Sequence, residues 1–162
     1  MLDTHCNLPY HWVEEWIQPD PNVDKWCFKK RDLCELGFVF HLGHAGRTCD
    51  QVSSSSGARD IHSLVITHVN GIHMVHLEYC ECSWPRRVPD EDQLVLAGLI
   101  PASFQRLQST FTVEVLEDAH EDILASRKST YDYMRKLRRR TNNAAAHLVA
   151  VSELAIMSLN MS

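Results

Sequence analysis

The chain has 162 residues, of which 44% are hydrophobic, which fits one domain with an apolar core rather than a disordered chain. No apolar run reaches the roughly 18 residues that a membrane-spanning helix needs. With 16 basic and 21 acidic residues, the net charge of −5 gives no overall attraction to nucleic acid. The first residues also lack a basic region followed by an apolar run. We therefore expect an intracellular protein whose 6 cysteines and 10 histidines are thiols and metal ligands rather than disulfides.

The first third of the chain contains short predicted elements. The aromatic-rich segment His11–Ile17 suggests a short helix that ends before Asp20-Pro21. A second short helix is predicted over Trp26–Leu36, closed by Gly37, because glycine is favoured just after a helix. Phe38–Phe40 then has the composition of a strand.

The clearest local pattern is a β-hairpin. Ser63–Thr67 is rich in β-branched residues, and Asn70-Gly71 is the favoured pair for a two-residue type I′ turn. Ile72–Tyr79 then alternates in polarity. Its better core face consists of His73, Val75, Leu77 and Tyr79.

The last third is predicted to be helical. Apolar residues recur near helical spacing from Thr110 onward, and Ser129 is a suitable N-cap for a second helix through about Arg140. A weaker apolar pattern over Ala144–Leu159 suggests a third helix. On the second helix, the predicted core face is Tyr133, Met134 and Leu137, and the opposite face is Arg135, Lys136 and Arg139.

Four residues form the strongest candidate site. His44 and Cys49 lie in one loop, and Cys80 and Cys82 follow the second hairpin strand. Thiolate and imidazole are the ligands that zinc prefers in a tetrahedral site. The spacing therefore predicts a Zn²⁺ site with three cysteines and one histidine.

Other readings of these residue types remain open. The cysteines can instead be reduced, partly buried thiols. Among the other histidines, His73 is a spare candidate ligand that is expected in the core or beside a ligand, and His76 is expected in solvent. The cluster His5, Cys6 and His11 has no upstream partners in this sequence that would complete a tetrahedral site, and Cys27 and Cys34 are expected to pack on one face of their helix.

A basic segment offers a candidate surface for DNA. Seven of the 16 lysines and arginines lie between Arg127 and Arg140, and a group of acidic residues precedes them. Arg135, Lys136 and Arg139 can contact phosphates, or the basic face can neutralise the acidic helix instead. The sequence has no nucleophile elbow, phosphate-binding loop or His-Glu-x-x-His motif, so an enzyme is the least favoured class.

Several short stretches occur in the order found in one known family: Leu8–His11 with Glu15-Trp16; Leu36-Gly37; Leu42–His44; Cys49; Asn70–His73; Tyr79–Cys82; Leu96–Ala102; Thr110-Phe111 with Val115-Leu116; and Ser129–Tyr133 leading to Thr141–Asn143. On these residues the chain resembles the CxC-like cysteine cluster domain of fungal Kyakuja–Dileera–Zisupton (KDZ) transposases. The resemblance covers residues 5–143 and leaves 144–162 as a loose or weakly helical tail.

The resemblance implies a zinc-chelating domain with His44, Cys49, Cys80 and Cys82 as ligands, and His73 as a typical family residue. It also implies DNA or a transposase catalytic domain as partner, and a nuclear location. Three features depart from the family. This sequence lacks the further cysteines that members usually have upstream of the position of His5, Glu81 stands where members typically have glycine, and nothing after Asn143 corresponds to the catalytic domain.

We therefore predict an α+β domain, in which a small antiparallel sheet, held by zinc at the hairpin end, packs on a C-terminal antiparallel helical pair. The predicted function is a non-catalytic zinc-binding module of transposase origin that assists DNA recognition through Arg135, Lys136 and Arg139. The alternatives are a zinc-organised protein-interaction module, or a decayed transposon fragment without present function. No membrane and no small-molecule substrate are expected.

Overall fold

The computed structural model describes residues 10–22, 24–47, 61–82, 88–103, 107–142 and 145–149. The strands in these residues are β1 (Val13–Ile17), β2 (Cys27–Arg31), β3 (Val39–His41), β4 (His62–His68), β5 (Gly71–Glu78), β6 (Leu99–Pro101) and β7 (Ser109–Thr112). The α-helices are α1 (Asp90–Leu96), α2 (Val113–Ser126) and α3 (Thr130–Thr141). Short 3₁₀ turns occur at Leu33–Leu36, His44–Gly46 and Ala146–Leu148.

The strands form two sheets, and the α+β class is confirmed. β1 and β2 make a two-stranded antiparallel ribbon, and the main sheet has the order β3-β5-β4-β7-β6. The predicted hairpin is the antiparallel pair β4/β5 at its centre. The main sheet is mixed, because β3 pairs in parallel with β5 and β7 pairs in parallel with β4.

Both faces of the main sheet are covered by apolar residues. On one face, the buried side chains of β4 and β5 pack with Leu94 of α1 and Leu99 of β6. On the other face, Ile72 and Phe111 pack against the helices α2 and α3. The predicted core faces of β5 and α3 are confirmed, since the side chains concerned are at most 9% exposed: His73, Val75, Leu77, Tyr79, Tyr133, Met134 and Leu137.

The helices predicted for the first third are wrong. Val13–Ile17 is a strand, and it pairs with Cys27–Arg31, which occupies the first half of the second predicted helix. Cross-strand pairs such as Glu15 with Lys29 place opposite charges face to face, which favours the ribbon. Only the last turn of that helix exists, as a 3₁₀ turn that ends as predicted at Gly37 with a φ of 80°.

The hairpin turn lies one residue earlier than predicted. His68 pairs with Gly71, so the two loop residues are Val69 and Asn70. Among the described residues other than glycine, only His44 and Arg127 have positive φ, so the type I′ turn is wrong. The Asn70 side chain instead donates to the Tyr10 carbonyl at 2.7 Å, which fixes the turn against the N-terminal segment.

The C-terminal helical pair is present, with its first helix starting later than predicted. Ser109–Thr112 is a strand, and Thr112 caps α2 by accepting from the Val115 amide at 3.3 Å. Ser129 caps α3 as predicted, accepting from the Asp132 amide at 3.2 Å. Of the predicted third helix, the described part contains a 3₁₀ turn at Ala146–Leu148, and residues after 149 lie outside it. None of the helices in the described ranges is both long and apolar enough to cross a bilayer.

Candidate metal centre

The parallel pair β3/β5 brings two distant segments to one edge of the main sheet. Because the two strands run in the same direction, their C-terminal ends lie side by side, with His41 opposite Glu78. The Leu42 amide then donates to the Glu78 carbonyl at 2.9 Å and extends this contact by one residue. The loop after β3 and the segment after β5 therefore meet at this edge.

Three of the four predicted ligands converge there. The Nε2 atom of His44 lies 3.2 Å from the Sγ atom of Cys80 and 3.2 Å from that of Cys82. All three ligand atoms lie within 4.8 Å of one another. An imidazole nitrogen and a thiolate on one tetrahedral zinc-sized ion are about 3.5 Å apart. This group can therefore hold a metal ion.

The approach of the two segments depends on Gly43. Its φ is 77°, and a Cβ atom there would lie 3.0 Å from the Cβ atom of Cys80. A side chain at this position would press against Cys80 and push the two segments apart by a few tenths of an ångström. Sequence reasoning gave Gly43 no role, although it directly precedes the predicted ligand.

The segment after β5 is held by a buried glutamine of α1. The Cys80 amide donates to Oε1 of Gln93 at 2.7 Å, and Nε2 of Gln93 donates to the Cys80 carbonyl at 3.0 Å and to the Val88 carbonyl at 2.9 Å. Gln93 is 5% exposed. The Cys82 amide also points to Sγ of Cys80 at 3.4 Å. No motif in the sequence signalled Gln93, because its role depends on a contact between separate elements.

The fourth predicted ligand and the other histidines and cysteines considered from the sequence are not part of the described cluster. Cys49, His5 and Cys6 lie outside the described residues. His73 is a core residue as expected, with its ring 4.2 Å from that of Trp12 and its Nε2 atom 2.7 Å from Oδ1 of Asn70. His76 is half-buried rather than solvent-exposed.

The two cysteines expected on one helix face lie on different elements. Cys27 is in β2 and Cys34 in a 3₁₀ turn, and both are half-buried free thiols. The helix-face interpretation is therefore wrong, because the segment that contains them is mostly extended. Burial, followed by the charges of Asp32 and Glu35, raises the pKa of the Cys34 thiol and disfavours its thiolate.

On the predicted basic face of α3, two side chains are exposed to solvent and one forms ion pairs with α2. Arg135 and Arg139 are exposed. The Nζ atom of Lys136 lies 3.3 Å from Oδ2 of Asp118 and 3.1 Å from Oδ2 of Asp122 on α2. The Tyr133 hydroxyl donates to Asp118 at 2.5 Å, and this bond, together with Lys136, lowers the pKa of the Asp118 carboxyl. The opposite charges of the two helices thus pair internally at Lys136.

The structure combines a mixed sheet with a His/Cys cluster at one edge that can hold a metal ion, and comparison with known families shows which family has this combination of residues. Residues 33–145 match the family described as "CxC2 like cysteine cluster associated with KDZ transposases". Since the match covers more than half of the chain, the protein belongs to that family, and the resemblance stated above is confirmed. No curated protein and no solved structure matches the chain. The predicted limits of 5–143 for the domain and 144–162 for the tail stay a prediction.

Proposed function

We propose that the chain is a non-catalytic zinc-binding module that assists a transposase in recognising DNA. The observation that supports this most directly is the convergence of His44, Cys80 and Cys82 after two parallel strands. Two sulfur donors and one imidazole suit zinc, because the soft thiolates favour it over hard cations such as Mg²⁺ and Ca²⁺.

We propose Cys49 as the fourth ligand. It follows His44 by five residues, so the chain is long enough to return it to the site. A site closed by four protein ligands leaves no open position for water or substrate. Such a site is structural, which agrees with a module that recognises rather than reacts.

Zinc content measured by elemental analysis tests the site. We expect about one zinc per chain in the purified wild type, and loss of that zinc in Cys80→Ser/Cys82→Ser. The matched control is Cys27→Ser/Cys34→Ser, which removes two half-buried thiols that lie outside the cluster and should keep the metal. Cys49→Ser tests the fourth ligand by itself. A folded wild type without zinc would contradict the proposal.

The proposed DNA surface is the exposed part of the basic face of α3. Arg135 and Arg139 are exposed and lie opposite the buried residues of this helix, so both guanidinium groups can reach phosphates. Lys136, the third predicted contact, has its charge already paired with Asp118 and Asp122, and we give it a smaller part. The association with transposases supports DNA, or a transposase catalytic domain, as partner and the nucleus as location.

A second candidate function is a protein-interaction module organised by zinc. The internal pairing of Lys136 with the acidic helix α2 favours it, because that pairing uses basic charge without any nucleic acid. The two functions differ in salt dependence. A DNA-binding surface loses affinity steeply as salt rises, and a neutral protein interface does not.

A further inference from the structure

The β1/β2 ribbon and the residue that precedes β2 expose a cluster of three aromatic rings, here called the aromatic ribbon: Trp16, Trp26 and Phe28. Their exposed fractions are 52%, 46% and 66%. Trp16 lies directly opposite Phe28 in the strand register, so both rings lie on the same side of the ribbon. The ring centroids of this pair are 4.6 Å apart, and Trp16 and Trp26 are nearly parallel at 9° with centroids 6.1 Å apart. Large flat rings are therefore presented to solvent outside both core clusters.

The aromatic ribbon borders a cleft that carries positive charge. Phe28 lines a cavity of about 880 Å³ between the ribbon, β5 and the end of α3. Four basic residues line the same cavity: Lys29, Lys30, Arg139 and Arg140. The Nζ atom of Lys30 lies 5.5 Å from the centre of the Trp12 ring inside it.

The acidic residues of this cleft are engaged by other groups. Glu35 forms an ion pair with Arg31 at 3.1 Å. Asp32 is half-buried, lines the cavity and is hydrogen-bonded to the Met74 backbone.

Glu14 and Glu15 lie opposite Lys30 and Lys29 in the strand register. The surplus of positive charge in the cleft is therefore concentrated at Arg139 and Arg140 of α3, in contrast to the net charge of −5 of the whole chain. A polyanion is the complementary ligand.

We propose that the aromatic ribbon and this cleft bind single-stranded nucleic acid, with bases stacked on the exposed rings and phosphates near Arg139 and Arg140. A duplex keeps its bases stacked inside the helix, whereas a single strand offers free base faces to aromatic side chains. An apolar peptide could pack on the aromatic rings, but it would not neutralise the positive charge of the cleft. The inference rests on the nucleic-acid part of the proposed function and names the form of nucleic acid that this second surface takes.

Fluorescence anisotropy with a labelled 20-nucleotide strand of mixed sequence tests the inference, using the zinc-loaded full chain. The same strand annealed to its complement is the duplex probe. We expect the wild type to prefer the single strand, and Trp16→Ala/Phe28→Ala to lose at least about tenfold in affinity, since the variant removes two rings on which bases can stack. Tyr131→Ala is the matched control, because Tyr131 is a 58% exposed aromatic residue of α3 that does not line the cleft.

A conservative variant separates stacking from folding. Trp16→Phe keeps a ring at the same place, so we expect affinity within a few-fold of wild type and a smaller quenching of tryptophan fluorescence on binding. Circular dichroism and zinc content should be unchanged in all these variants. A loss in Trp16→Phe equal to that in the double alanine variant would contradict stacking.

Two outcomes would overturn the inference while leaving the zinc module intact. In the first, the wild type binds single strand and duplex with equal affinity, and Trp16→Ala/Phe28→Ala binds both as tightly as the wild type. That result would leave only contacts with the phosphate backbone, such as those of Arg135. The other is no oligonucleotide binding together with self-association that depends on Trp16, which would make the ribbon a contact between two copies of the chain. A folded wild-type protein that binds no zinc, by contrast, would contradict the proposed function itself.

Discussion

Gln93 holds the backbone of Cys80 from both sides, since its Oε1 atom accepts from the Cys80 amide at 2.7 Å and its Nε2 atom donates to the Cys80 carbonyl at 3.0 Å. A side chain on α1 thus sets the position of a candidate ligand that follows β5. Buried hydrogen bonds of this kind orient the groups that bind a metal, and their removal weakens metal affinity.

Substitution of Gln93 should therefore weaken the metal site without removing a ligand. In Gln93→Ala the buried amide and carbonyl of Cys80 lose their partners, which costs about 1–3 kcal/mol of folding stability. We expect zinc affinity to fall by roughly 10–100-fold, as measured by competition with a chromophoric chelator. Gln108→Ala removes an exposed glutamine and is the control. Equal zinc affinity in the two variants would refute the role given to Gln93.

Substitution of Gly43 should disturb the site by direct contact. Gly43→Ala places a Cβ atom 3.0 Å from the Cβ atom of Cys80, on a backbone with φ of 77°. Gly37→Ala is a matched control, because Gly37 has a φ of 80° and nothing within 4 Å of the added atom. Both variants should lose about 1–2 kcal/mol in urea unfolding from the left-handed backbone. Only Gly43→Ala should also lose zinc, and retention of zinc there would contradict the contact argument.

The proposed DNA surface predicts a difference between neighbouring basic residues. Each phosphate contact contributes about 0.9 to the slope of log affinity against log salt on duplex DNA. Arg135→Ala/Arg139→Ala should therefore lower this slope by about two, measured by duplex titrations over a range of salt concentrations. Lys136→Ala should leave the slope nearly unchanged, because its ammonium group is paired with Asp118 and Asp122. An unchanged slope in the double variant would remove α3 from the DNA surface.

The buried His73 predicts a loss of stability in acid. Burial, followed by the charges of His68, Lys30 and His11, lowers the pKa of its ring from 6.5 to about 3. Between these values the unfolded chain binds a proton at this residue and the folded chain does not. The free energy of unfolding should therefore fall as pH falls through this window, by up to about 1.4 kcal/mol per pH unit from this group.

Proton NMR of the imidazole rings measures this directly. The His73 ring should remain neutral at pH 5, while the exposed His120 of α2 serves as the reference signal in the same spectra. Protonation of the His73 ring near pH 6.5 would show that the folded protein admits the charge and would contradict the prediction.

The sequence predicted the elements whose patterns are strong within one segment. The alternation in Ile72–Tyr79 and the spacing of Tyr133, Met134 and Leu137 report burial on one face, and burial agrees with them. Val13–Ile17 was misassigned because a short aromatic-rich segment fits a helix or a strand. The strand conformation depends on pairing with Cys27–Arg31. No hairpin signal in the sequence connects these two segments.

Three residues of the candidate site could be chosen from the sequence, whereas the residues that hold them in place could not; metal binding by the three stays a prediction. Residue chemistry and the end of a predicted hairpin were sufficient to select His44, Cys80 and Cys82. His44 meets the two cysteines because β3 pairs in parallel with β5. No pattern within either segment indicates this pairing. No sequence pattern predicts α1, and the hydrogen bonds of Gln93 depend on where that helix packs.

The parallel pairing of β3 and β5 also has a kinetic consequence. His44 and Cys80 are 36 residues apart in the chain, and parallel neighbours can form only after a crossover has closed. A metal ion bound across this edge makes contacts that arise late in folding. Such contacts slow unfolding more than they speed folding. A bound metal ion would thus mainly lower the unfolding rate of the protein. The lifetime of the folded state, rather than the folding rate, would depend on the zinc supply.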